Sequence, residues 1–114
     1  MAESIPLLSH PHSSPSAFTP EALVRAVRAD RGIGCEDVPA ICVLDFDGDL
    51  TDWLNANGLA RPCISWACFH TTMSIVSLDG IDCGIIPRMI GGSYAVLVAE
   101  QLRVSGARVI VGLT

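Results

Sequence analysis

The chain has 114 residues, half of them hydrophobic and 17% charged, with a net charge of −5. That length allows one domain at most, and the composition supports a packed core and excludes a disordered chain. All seven basic residues are arginine; Arg25, Arg28 and Arg31 surround Asp30 and read as a solvated helix face, so no basic stripe for nucleic acid is present.

The five cysteines, Cys35, Cys42, Cys63, Cys68 and Cys83, include no C-x-x-C pair. Cys63 and Cys68 lack a second pair to complete a tetrahedral zinc site, so the set reads as buried free thiols in a reducing cytoplasm, with no metal. The start, Met-Ala-Glu-Ser, is not a secretory signal, and no apolar run is long enough to span a membrane. A cytoplasmic protein that binds neither membrane nor nucleic acid is expected.

Residues 1–17 are rich in Ser, Pro and His and read as a flexible arm; His10 and His12 are part of it rather than a metal pair. Thr19-Pro20-Glu21 opens a helix with a capping Thr, Pro at the first helical position and an early acid, and Gly32 stops it. Residues 39–44 form a short apolar run, hence a buried strand. A second helix starts near Asp49 and reaches Gly58. Arg61-Pro62 marks a loop. A long strand is expected from Trp66 to Leu78, with His70 in it as a core or interface residue. Asp79-Gly80 is a two-residue hairpin turn, and Ile81 to Pro87 the return strand.

Gly91-Gly92-Ser93 then heads a helix, with Ser93 as its N-cap. Ala95, Leu97, Val98, Ala99 and Leu102 face inward; Glu100, Gln101 and Arg103 face water. Gly106 ends the helix, and Val109-Ile110-Val111 is another buried strand. Strand, helix and strand of this length imply a right-handed parallel crossover. Ligands of such sheets bind beyond the carboxyl ends of the strands, beside the glycine turn and Thr114. A buried strand running to the last residue reads as a larger protein cut short.

Two stretches could carry chemistry. Asp45-Phe46-Asp47-Gly48-Asp49 follows the first strand. It resembles the Asp-x-Asp-Gly-Thr motif of the haloacid-dehalogenase-type phosphatases, which implies Asp45 as nucleophile, Asp47 as acid/base and magnesium on the phosphate. Asp49 stands in place of that Thr, and the lysine the family uses to hold the intermediate has no counterpart here. The 1, 3, 5 aspartate spacing of a calcium loop fails at Leu50 and Ala56. A turn in which Asp49 caps the second helix and Gly48 admits a close neighbour is the structural alternative. Around the glycine turn, free N–H groups at the helix head favour an anion, and Arg88 stands just before it.

The broader resemblance is to the nucleoside phosphorylase superfamily, purine and uridine phosphorylase type. It runs from Phe18 to Thr114 and is carried by Gly84-Ile85-Ile86, Gly91-Gly92-Ser93, Ala99-Glu100-Gln101-Leu102 and Gly106-Ala107-Arg108-Val109-Ile110. The resemblance implies an α/β fold, a three-layer mixed sheet flanked by helices and truncated after a central strand, over residues 18–114. It implies phosphorolysis of an N-glycosidic bond in a purine or pyrimidine nucleoside, with inorganic phosphate as co-substrate, no cofactor, and a homo-oligomer. Gly48, Asp49, Arg88, Gly92, Ser93 and Thr114 are then the phosphate- and ribose-binding candidates. The family's arginine after the Gly-Asp-Pro loop falls at Asp52, and its second arginine near Val111. The base-binding half is missing, so a piece inactive alone is expected, or a non-catalytic protein that binds a ligand or subunit.

Overall fold

The computed structural model describes residues 19–114 and, apart from them, Ser13 alone. The expected arm, with its two histidines, lies outside the described residues. Helix α1 spans Pro20–Arg31, strand β1 Ile41–Asp45, helix α2 Asp49–Ala56, strand β2 Ala60–Pro62, strand β3 Ser74–Leu78, strand β4 Ile81–Pro87, helix α3 Gly92–Val104 and strand β5 Val109–Leu113. The fold is α/β, with a five-stranded mixed sheet in the order β2-β3-β4-β1-β5.

Local chemistry accounts for most of these boundaries. Thr19 Oγ1 accepts the Ala22 N–H at 3.1 Å, and Gly32 closes α1 in the left-handed region at φ 64°. Asp79 and Gly80 both have positive φ, 50° and 81°, which is the turn that matches the twist of the antiparallel β3–β4 pair. β1 pairs in parallel with β4 on one side and with β5 on the other. The chain therefore leaves β4, runs through α3 and returns on the far side of β1.

The two faces of the sheet are covered unequally. On the inner face, Cys42, Leu44 and Ile86 pack with Val98 and Leu102 of α3 and with Trp66, Met73 and Met89. α1 docks on this layer from outside through Val24 and Val27, against Ala67 and Val104. On the outer face lies α2, eight residues long, whose Leu50 and Leu54 border a cleft with Val43, Val76 and Ile85. The third layer is thus one short helix.

Several expectations are corrected. The long strand from Trp66 is only Ser74–Leu78; residues 66–73 are irregular, because Trp66, Ala67, Cys68 and Met73 are drawn into the core instead of alternating across a sheet. His70 lies in that segment and is exposed, edge-on to Phe69 at 6.5 Å between ring centroids. The Arg61-Pro62 loop contains β2, held to β3 by antiparallel pairing; Arg61 adds an ion pair to Asp82 at 2.9 Å.

On α3 the inward set differs too. Gln101 is buried, its Oε1 accepting the Cys68 thiol at 3.6 Å, and Leu97 is exposed. The strand expected to be buried at 109–111 is exposed throughout, since among the described residues β5 is an edge strand paired with β1 alone. Of the cysteines, Cys42, Cys63 and Cys68 are buried free thiols, Cys83 is half-buried and Cys35 is exposed. No helix among the described residues is long and apolar enough to cross a membrane.

Candidate functional site

The parallel register brings one end of the molecule together. Asp45, last in β1, stands opposite Pro87 of β4 and Leu113 of β5. The turns that follow these strands start from a common edge: Gly48 and Asp49 lead into α2, Arg88 leads toward Gly92 and Ser93 of α3, and Thr114 follows β5. Backbone hydrogen bonds fasten this edge. Arg88 N–H donates to the Asp45 carbonyl at 2.8 Å, Gly48 N–H to the same carbonyl at 3.1 Å, and Phe46 N–H to the Leu113 carbonyl at 3.1 Å.

The centre of the edge is Asp45, which is buried. Its Oδ2 accepts two hydrogen bonds at 2.8 Å, from the Thr51 backbone N–H and from the Thr51 hydroxyl. Thr51 lies in the first turn of α2, where backbone N–H groups have no partner within the helix. The N-cap position is Gly48, at φ 85°, and it offers no side chain. Asp45 therefore supplies from the strand the acceptor that the cap lacks. The expected cap, Asp49, is instead the first residue of the helix. The second oxygen, Oδ1, has no hydrogen-bond donor among the described residues.

Arg88 arches over the turn. A Cβ at Gly48 would stand 2.9 Å from Arg88 Cγ, so glycine is required there for space as well as for its positive φ. The Arg88 backbone is itself left-handed, at φ 63°, a conformation costly for a residue with a long side chain. Its Nη2 donates to both oxygens of Asp52 at 2.6 Å. Asp52 is thus the partner of the nearest cation.

The remaining candidates are placed at the same edge without being joined to it. α3 begins at Gly92, with Gly91 as N-cap and no side-chain capping bond, so Ser93 is the second helical residue and not the cap. Ser93 and Thr114 are exposed, and neither makes a side-chain hydrogen bond among the described residues. The charged side chains of the turn and the helix start after Asp45 are three more carboxylates, Asp47, Asp49 and Asp52, all exposed, against the guanidinium of Arg88. Among the described residues no three His, Cys, Asp or Glu side chains converge as a ready metal cage.

Sequence reasoning missed Thr51 and the Asp52–Arg88 pair. Thr51 was within reach, because a helix beginning at Asp49 puts it in the first turn six residues after a strand-ending aspartate. The pair joins residues 36 apart and leaves no sequence signal. Comparison with protein-family models, with curated proteins and with solved structures gave no match.

Proposed function

We propose that the carboxyl edge of the sheet is a phosphoryl-transfer site, of the kind implied by the Asp45-Phe46-Asp47-Gly48 stretch. The observation that carries this reading is the divided environment of Asp45: Oδ2 is pinned by Thr51, while Oδ1 has no donor among the described residues. A carboxylate held rigidly by one oxygen presents the other in a fixed direction, as a nucleophile requires.

In this reading the free oxygen of Asp45 attacks phosphorus of a phosphate monoester and the phosphorus–oxygen ester bond breaks. The leaving oxygen takes the proton carried by Asp47. Water, deprotonated by Asp47, then attacks the phosphorus of the acyl phosphate and restores the carboxylate. Asp45 and Asp47 are oxygen donors of the type magnesium prefers, and they are two, so water and substrate would complete the shell. Such an ion, when bound, neutralises charge on the phosphate. Arg88, held over Gly48, is the cation nearest the role of the lysine this chain lacks.

Four carboxylates beside one arginine favour a phosphate that arrives with a divalent cation over a bare one. That charge balance ranks nucleoside phosphorolysis second. In its favour is the shared edge on which Gly48, Asp49, Arg88, Gly92, Ser93 and Thr114 stand.

The deciding experiment is phosphate release from an aryl phosphate with and without magnesium, on wild type and Asp45→Asn. Asparagine keeps an oxygen for Thr51 and loses the nucleophile. Magnesium-dependent turnover that disappears in the folded Asp45→Asn variant supports the reading. No turnover, or turnover unchanged in the variant, sinks it. Phosphate-dependent cleavage of a purine or pyrimidine nucleoside would support phosphorolysis instead, and failure of both leaves Asp45 as a helix cap in a binding protein.

A further inference from the structure

The cleft between α1 and α3, on the opposite side of the inner helical layer from the sheet, measures about 460 Å³, a volume typical of small-ligand sites. Its wall is apolar, from Val24, Ile33 and Val104, and its charged groups are Arg25, Arg28 and Glu21. The arginines stand three apart on α1 and so project from one helical face. Neither forms an ion pair or a side-chain hydrogen bond among the described residues. Arg28 is the more telling of the two. It is half-buried, and its Nε is shut off from solvent with no acceptor. Its Nη nitrogens are not shut off and have no hydrogen-bond partner among the described residues, so they are the donors that an acceptor from outside would reach.

The charge count selects the ligand. Two guanidinium groups against one carboxylate leave a single positive excess, which suits a monoanion better than a dianion. A guanidinium binds a carboxylate through paired N–H donors, and the apolar wall takes the remainder of the molecule. The geometry points to this cleft as a binding site for a small organic monocarboxylate with an apolar tail, anchored by Arg25 and Arg28. The site is separate from Asp45 and does not depend on any reaction there.

Cys35 lines the same cleft and is the one exposed cysteine; the others are buried or half-buried. Its modification rate therefore reports occupancy at this place. The test is labelling of the full chain with N-ethylmaleimide, read on the Cys35 peptide by mass spectrometry, with octanoate as the probe and acetate and 1-octanol as controls. Octanoate at about four times its dissociation constant slows labelling on the order of fivefold. Acetate, which has no tail, and octanol, which has no charge, slow it less than twofold at the same concentration. The protection is lost in Arg25→Gln/Arg28→Gln. Because Arg28 is half-buried, the single variant Arg25→Gln, at an exposed position, is measured beside it and weakens protection in a chain whose circular dichroism is unchanged. No protection of the wild type overturns the inference. So does equal protection in the wild type and Arg25→Gln, or protection by octanol equal to that by octanoate.

Discussion

The covered middle of the sheet and its open margins are built from the same kinds of residue and end in different states. In β1 the inner residues Cys42 and Leu44 are 0% and 5% exposed under α3. In β5 the outer residues Val109 and Val111 are 51% and 43% exposed, and Leu78 and Ile81 at the β3–β4 turn are 59% and 56%. Apolar alternation on both faces reads as a doubly covered sheet. Coverage, however, belongs to the helices. α3 lies across the inner face with Val98 and Leu102 pointing into it, and α2 is too short to roof the outer one. The same kinds of side chain therefore stabilise the fold strongly under a helix, where Val76 and Ile85 beside α2 are also only 7% and 3% exposed, and weakly at the uncovered margins.

The sharpest way to break this contrast is to truncate one leucine in the covered middle and one at the margin. Leu102→Ala, at a fully buried position, is expected to cost about 3–4 kcal/mol by lost transfer energy and cavity formation. Leu78→Ala is expected to cost less than about 0.5 kcal/mol. Chemical denaturation of both variants measures the difference; equal losses would mean that the margin at the β3–β4 turn is packed in solution.

A pH titration examines the inner face next. Burial, together with the nearby Cys63, pushes the Cys42 thiol from its ordinary 9.0 up to about 11. The folded state thus holds a proton that the unfolded state releases. The contribution is fully present below pH 9 and falls as pH rises from 9 through about 11, by about 2–3 kcal/mol at most. Thermal melts across that range should show the decline, and Cys42→Ala should flatten it while lowering stability at pH 7.

Smaller effects concern the edge that joins the faces. Asp45→Ala removes the acceptor of both Thr51 donors and is expected to cost about 1–2 kcal/mol, with Asp45→Asn costing less. If Asn destabilises as much as Ala, the negative charge rather than the acceptor holds α2. Smallest is Asp52→Ala. It breaks an ion pair whose members are both more than half exposed, worth about 0–1 kcal/mol and weaker in high salt. In the same variant, stronger binding of magnesium-free phosphate would show that Asp52 screens Arg88 from anions.

Much of this was legible along the chain. Thr19, Pro20 and Gly32 bound α1; Asp79-Gly80 formed the hairpin; Ile81–Pro87 was a strand from end to end, because caps and turns are short-range chemistry. The segment from Trp66 to Met73 was not legible. Its strand-forming composition was overridden when four of its side chains went into the core. Gln101 was assigned to water by polarity and became buried once Cys68 came within reach of its carbonyl, 33 residues away.

The candidate site divides in the same way. Sequence alone determined that an acidic turn follows the first strand and that a glycine turn heads a helix after the fourth, since both depend on neighbours within a few residues. Only the tertiary structure decided that both turns share one edge, that Asp45 caps α2 through Thr51, and that Asp52 occupies Arg88. Those facts follow from parallel pairing of β4, β1 and β5, and pairing between distant strands is set by which faces can be buried together.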